Sequence, residues 1–442
     1  MEPTHQKIKA LLQTGETANI QLAMALLGPI EASWKAELLP SRAVLDRLNR
    51  ILGHQHRYIE SSALLSKPEA VYAVQTVNLS SNTSLTAEDW ALVGRFLCNA
   101  RELNLSNCGL KVLPSMVQNF HRLTTLRLHN NALTALPNFI GDLTQLQQLD
   151  CSTNYLETLP DTLAQLSALQ TVYADENVLT TLPQMLLDLP ALKILYLSSN
   201  RLRNLPNIHR LKQVEQLYLA NNQLTELPAA ISACTALSSL NMDNNLLSHL
   251  PDELCTLSKV KEISLARNTL TQLPDELGRC QRLQRLNLEN NLLTTLPPSI
   301  YQLNALEKLY LGYNQLQTLP KAIGQLTQLK VLDLTGYYLQ TLPRTVVNCP
   351  MLSSLLINEN RLQRLPDHMD RLIELVDLQV NDNQLTELPT ALGKLPQLEV
   401  ILAENNNLST LPLSLCKAPR LNELYVDGRH EQLAADIVAR HA

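Results

Sequence analysis

A chain of 442 residues is long enough for two or three domains, unless one unit repeats along it. Aromatic residues make up 4% and glycines number 12, so the apolar content is carried by leucine, which suits one long aliphatic core. The net charge of −5, with no run of lysine or arginine, excludes the basic stripe that a phosphate backbone requires, and nucleic acid is not an expected partner.

At the front, Met1 to Ala10 carries His5, Lys7 and Lys9 and leads into no apolar core of secretory type, and no apolar stretch approaches about 18 residues. Export and membrane spanning are therefore not expected. Residues 1–70 show helical apolar spacing, with Ile8, Leu11 and Leu12, then Ile20, Leu22, Ala23, Leu26 and Leu27, punctuated by Pro29, Pro40 and Gly53. This segment reads as an end cap, with a separate docking module as the alternative. Thr86 to Leu97 predicts a further helix, with Asp89 three residues after a threonine N-cap.

From there the chain repeats. Prolines 114, 137, 160, 183, 206, 228, 251, 274, 297, 320, 343, 366, 389 and 412 recur every 23 residues, except for the 22-residue step from Pro206 to Pro228. Each unit reads L-x-x-L-x-L-x-x-N-x-L-x-x-L-P, as in Leu283, Leu286, Leu288, Asn291, Leu293, Leu296 and Pro297. Alternation in the L-x-L strand places both leucines inward and the residue between them outward. One repeat cannot cover its own leucines, so its neighbours supply the cover. The asparagine falls where the chain turns inward, with an amide able to serve backbone groups that water cannot reach. Cys108 and Tyr337 stand in its place in two units. The proline, lacking a backbone donor, belongs on the return side, where segments such as Pro274 to Leu277 begin a short helical turn. Past the last strand, Glu431 to Ala439 predicts a closing helix.

These units resemble the 23-residue repeats of intracellular leucine-rich-repeat proteins of the Ras-suppressor and Scribble type and of bacterial cytoplasmic relatives, over about residues 74 to 428. Gly15 to Leu27 is similar to leaders that precede the repeats in some bacterial members. The expected fold is α/β: a leucine-rich-repeat solenoid, a curved horseshoe with a parallel β-sheet on its concave face and short helical or irregular turns on the convex one. An α-helical N-terminal cap is expected over 1–70, fourteen full repeats with partial first and last units at Val77 and Leu424 over 71–428, and a capping helix over 429–442. For function, the resemblance implies a protein-binding scaffold.

No Cys-His-Asp constellation, phosphate-cradling loop or metal spacing is found, so neither a catalytic site nor a cofactor is expected. Cys234, Cys280 and Cys349 keep one register, six residues before the first strand leucine that follows, and read as core. His54 and His56, two apart on a helix, diverge. Leu159 to Leu163 resembles a sortase signal but lacks its glycine and an apolar tail. The eight cysteines lack paired short spacings and read as reduced thiols of a cytoplasmic protein.

The outward strand positions are the ones folding leaves free. Tyr173, Tyr196 and Tyr218 occupy three in succession, which predicts rings side by side about 4.8 Å apart. Tyr155, Asp175 and Glu176 are expected to flank them. A second group, Tyr310, Tyr313, Tyr337 and Tyr338, lies toward the C-terminal half and includes the ladder break. β propensity and packing within the column are the alternative account of these tyrosines, and a coil irregularity that of Tyr337. Just past the strands, Asp175, Glu176, Asp243, Glu289, Glu359, Asp382 and Glu404 face only Arg267, an acidic rim suited to a basic or amide-rich protein surface or simply solvated. The expectation is a cytoplasmic, non-enzymatic, monomeric scaffold that binds a protein. The alternatives are a surface adhesin and an enzyme adaptor acting through the N-terminal helices.

Overall fold

Three-residue strands are too short to hold a sheet alone, so each coil depends on what lies between the strands. In the computed structural model, which describes residues 3–14, 16–27, 38–53 and 68–439, the chain forms two units, Met1–Leu202 and Arg203–Ala442.

Among the described residues the first unit begins with helices α1 (Pro3–Gln13), α2 (Thr17–Leu27) and α3 (Arg42–Gly53). Ile8, Leu12, Ile20, Ala23 and Leu27 are buried, as their spacing predicts, whereas Leu22 is exposed. Asn99 fixes these helices to the repeats by donating its amide to the Leu12 and Tyr72 carbonyls at 2.8 and 3.3 Å. Helix α4 (Ala87–Phe96) opens with the expected capping box, Thr86 and Asp89 satisfying each other's backbone N–H. The Arg47 guanidinium of α3 reaches Asp89 and Glu88 of α4, both at 2.6 Å. Its own pKa is raised by those hydrogen bonds. Pro29, His54, His56 and Gly15 lie outside the described residues.

Six strands follow, β1 (Thr76–Asn78), β2 (Glu102–Asn104), β3 (Thr125–Arg127), β4 (Gln148–Asp150), β5 (Thr171–Tyr173) and β6 (Ile194–Tyr196). The second unit holds ten: β7 (Gln216–Tyr218), β8 (Ser239–Asn241), β9 (Glu262–Ser264), β10 (Arg285–Asn287), β11 (Lys308–Tyr310), β12 (Val331–Asp333), β13 (Ser354–Leu356), β14 (Asp377–Gln379), β15 (Val400–Leu402) and β16 (Glu423–Tyr425). Within each unit the strands pair in parallel, in sequence order and in register, so that Arg285, Leu286 and Asn287 stand beside Lys308, Leu309 and Tyr310. Leu286 and Leu288 are at most 1% exposed while Asn287 between them is half-buried, the alternation that the repeat predicts.

On the opposite side most repeats make one 3-10 turn after the proline, such as Asn138–Asp142 after Pro137, whose carbonyl accepts from the Ile140 N–H at 3.1 Å. Cys234, Cys280 and Cys349 close three of these turns and are buried, and burial pushes each thiol up to about 11. At the far end, helix α5 (Glu431–Val438) lays Ala434 and Ile437 over β16.

The asparagines carry the polar interior. The Asn291 amide donates to the Leu265 and Leu288 carbonyls, at 2.9 and 3.0 Å, and its oxygen accepts from the Leu270 N–H at 3.0 Å. Asn131, Asn154, Asn245, Asn268, Asn314, Asn360, Asn383 and Asn406 make equivalent bonds to their own and the preceding coil. The two departures keep half of this arrangement. Cys108 Sγ contacts the Leu79 carbonyl at 3.1 Å, and the Tyr337 hydroxyl donates to the Leu311 carbonyl, the acceptor that an asparagine uses elsewhere. Tyr337 offers no oxygen where Asn314 receives the Leu293 N–H, so the Leu316 N–H goes without that partner.

One residue before the ladder position, every coil turns left-handed. Ser81, Asn107, Asn130, Thr153, Glu176, Ser199, Asn221, Asn244, Arg267, Asn290, Tyr313, Glu359, Asp382 and Asn405 have φ between 51° and 61°. That backbone costs about 1–2 kcal/mol in a residue with a Cβ and is relieved by short polar side chains, which explains the asparagines in this column. Those asparagines bond one another: Asn130 to Asn107 at 2.6 Å and Asn244 to Asn221 at 2.7 Å.

Replacing Asn291 with alanine strands the Leu270 N–H inside the coil and leaves the Leu265 carbonyl with the Asn268 amide alone. The expected loss is about 1–3 kcal/mol, read from urea unfolding with tryptophan or circular dichroism detection.

Candidate functional site

On the strand face of the first unit, the last residues of β3 to β6 run Arg127, Asp150, Tyr173 and Tyr196. Register places Tyr173 beside Tyr196, and their rings stack with centroids 4.7 Å apart and planes 11° from parallel. Both residues of the pair are half-buried. Arg127 holds Glu102 at 3.6 Å at the start of the same row. Tyr218 occupies the corresponding position in the second unit, with its hydroxyl 3.3 Å from Gln216 Oε1.

Asp175 lies just past β5, and its carboxylate accepts the Ser198 N–H of the next coil at 2.8 Å. Burial is the main influence on this group, assisted by Asp150 and opposed by the Ser198 hydrogen bond, and it raises the pKa from the usual 3.8 to about 6. Asp243 plays the same part in the second unit, accepting from the Ala266 N–H at 2.7 Å and the Ser264 hydroxyl at 2.7 Å, and burial raises its pKa also. Neutral asparagines do this work at Asn358 and Asn381, each accepting the next coil's N–H. The acidic rim therefore divides into two layers. Asp175 and Asp243 face inward and brace the following coil, while Glu176, Glu359 and Asp382 are exposed at left-handed positions. Glu176 accepts from the Thr153 hydroxyl at 3.2 Å.

The second tyrosine group does not form one surface. Tyr310 stands on the strand face between Asn287 and Asp333. Tyr313 lies on the left-handed column and stretches across two coils to donate its hydroxyl to Glu359 at 2.9 Å. Tyr337 is 2% exposed and belongs to the core, so the alternative of a contact residue at the ladder break is corrected: the hydroxyl that makes tyrosine a useful surface group here replaces a buried amide. Tyr338, one residue beyond, is 69% exposed on the side of the coil, with the Arg361 guanidinium 4.4 Å over its ring. Tyr155 occupies the register of Tyr338, one past the ladder position, and so stands outside the strand face that carries Tyr173 and Tyr196.

Among the described residues no three His, Cys, Asp or Glu side chains gather closely enough to hold a metal ion, and no helix is long and apolar enough to cross a membrane. All eight cysteines are free.

With this geometry in view, comparison with known proteins gives a consistent result. The family model "Leucine rich repeat" matches residues 235–293 and 281–339, and "Leucine Rich repeats (2 copies)" matches 121–165 and 212–254. Among solved structures, an LRR protein of Leptospira interrogans is 31% identical over 87% of this chain and 98% of its own, with a TM-score of 0.79. YopM, a leucine-rich effector protein of Yersinia pestis, is 24% identical over 96% of this chain and 98% of its own at a TM-score of 0.60. A plant peptide hormone receptor, RGFR1, solved in complex with RGF2, is 23% identical over 80% of this chain and 67% of its own at 0.58, and like YopM shares the fold alone. Comparison with curated protein sequences returns no match. The chain belongs to the leucine-rich-repeat proteins, and its 23-residue spacing fits the intracellular type.

Two measurements test these geometries. In the folded chain Asp175 resists ionisation, so its neutral form contributes stability that is present below the unfolded pKa of 3.8 and is lost as pH rises through about 6. Relative to Asp175→Asn, the wild type is expected to lose stability between those values and to hold a constant difference above about pH 7, measured by urea unfolding across the range. Gly336 has φ +76°, and an added Cβ would overlap the Tyr313 ring. Gly336→Ala is expected to cost at least about 1–2 kcal/mol from the backbone alone. In a Tyr313→Ala background the penalty is expected to shrink by more than about 0.5 kcal/mol, a coupling that a double-mutant cycle resolves.

Proposed function

We propose that this protein is a non-enzymatic scaffold that captures a partner protein on the strand face, with the stacked Tyr173 and Tyr196 of the first unit as the anchor. The leucine-rich-repeat fold is generally a protein-interaction scaffold, and the observation that carries the finer reading is the ring stack itself. Two rigid aromatic groups held parallel by the sheet give amphipathic area with little entropy left to lose on binding, the property of residues that dominate interface energetics. Asp150, one strand away, and the exposed Glu176 favour a basic or amide-rich partner surface, with charge guiding encounter more than final affinity. Tyr310, Tyr313, Tyr338 and Tyr155 occupy other surfaces and are accessory to this reading.

A cytoplasmic location is proposed with it. Eight free cysteines, six of them buried, support a reducing compartment. Recovery of the protein from culture medium with cells intact would favour the adhesin alternative.

The deciding experiment is a pull-down with mass spectrometry, comparing wild type with Tyr173→Ala/Tyr196→Ala. A protein retained by the wild type is expected to be lost from the variant, with at least about tenfold weaker affinity for the purified pair, equal to 1.4 kcal/mol, and an unchanged unfolding midpoint. Equal retention by both chains overturns the assignment of this site.

A further inference from the structure

Strand β16 closes the second unit's sheet on one side only. It pairs with β15, and no strand lies beyond it among the described residues. In interior strands the corresponding edge is occupied: beside β10 the Gln284 carbonyl accepts from the Glu307 and Lys308 N–H groups at 2.8 and 2.9 Å, and the Leu288 N–H donates to the Tyr310 carbonyl at 2.9 Å. The counterparts in the last coil are the Asn422 carbonyl and the Val426 N–H, and among the described residues neither has a partner. The parallel pattern adds the Leu424 N–H and carbonyl between them, so four backbone groups at alternate residues point the same way. A polar backbone group left unpaired in a half-covered place is unfavourable, and an added strand is what satisfies such a row.

Helix α5 stands beside this edge. Glu431, Ala435 and Val438, spaced i, i+4 and i+7, share one face of it, and between that face and residues 423–426 runs a groove of about 400 Å³, with Glu404 at its rim. Ala434 and Ile437 turn away into the core. The two walls differ. Glu404, Glu423 and Tyr425 lie on the strand-face side, whereas Leu424, Val426, Ala435 and Val438 form an apolar side. The Glu404, Glu423 and Glu431 carboxylates make no ion pair among the described residues.

We propose that this groove binds an extended peptide of alternating basic and apolar residues, which adds to β16 as a further parallel strand. The unpaired backbone groups supply the pairing, and the alternation of a strand sends every second side chain to the glutamates and the others to the apolar wall. The helix is eight residues long, so about four extended residues span the groove. Charge selects this occupant over a second copy of the chain, because two-fold pairing of β16 with β16 would bring six unpaired glutamates together. The surface is separate from the tyrosine stack, and neither reading depends on the other.

The test uses the full chain and fluorescence anisotropy of a labelled hexapeptide of alternating lysine and valine. Saturable binding is expected, with none for the same peptide carrying glutamate in place of lysine. Methylating the amide nitrogens that face β16 is expected to weaken binding at least about tenfold, as loss of strand pairing requires. Glu423→Gln/Glu431→Gln is expected to weaken it to a similar extent while leaving the unfolding midpoint unchanged. Absence of saturable binding, undiminished binding of the methylated peptide, or undiminished binding to the variant would each overturn the proposal; the second would show charge attraction without strand addition.

Discussion

The buried amide of each coil is the interaction on which the rest depends. Leucine burial drives the stacking, but it is non-directional and does not decide how the chain turns at the end of a three-residue strand. The asparagine does. By donating to carbonyls of two coils and accepting an N–H from the preceding one, it satisfies groups that the turn removes from water. With that accounting closed, the residue before it can adopt a left-handed backbone that is otherwise unfavourable. Where the amide is missing the same need is met partially: Cys108 and Tyr337 each reach the carbonyl of the second strand leucine before them, and Tyr337 brings enough volume to fill the space while leaving one N–H without its usual acceptor.

This constraint also sorts the surface. Side chains just past the strand are drawn into bracing the next coil, as Asp175, Asp243, Asn358 and Asn381 are. Those on the left-handed column bond along it. What is left for recognition is the row of residues that end the strands and face outward, where sequence varies without disturbing the interior, and the stacked Tyr173–Tyr196 pair lies there. Acidity along the rim is therefore in part a folding device. The raised pKa of Asp175 is the signature of a carboxyl held for a backbone N–H in a poorly hydrated place.

The parts of this arrangement that recur, or that rest on neighbours in sequence, were legible in the sequence. The strands, the ladder, the capping box at Thr86 and the register of Cys234, Cys280 and Cys349 each follow from a local rule applied in a fixed frame. The stacking of Tyr173 on Tyr196 follows from register as well. The second tyrosine group was harder, because Tyr310, Tyr313, Tyr337 and Tyr338 occupy four different positions on two successive coils and adjacency in sequence does not say which face outward. A break in the ladder was visible at position 337; that a phenol there would take over an amide's acceptor was not. The β16 groove was beyond reach, since it arises where a helix with no place in the repeat meets the strand edge.

At the end of the repeats, the Asp427 carboxylate accepts the N–H groups of Asn405 and Asn406, at 2.6 and 3.1 Å, standing in for the carbonyls that a following coil supplies elsewhere. The ladder amides have the same orientation, each completing the coil that precedes it. Satisfaction therefore runs backwards along the chain, and a coil emerging from the ribosome stays unfinished until its successor has been synthesised. Order in the nascent protein must trail translation by about one repeat, and the coil that holds Asn405 and Asn406 is completed by a carboxylate where others use main-chain carbonyls.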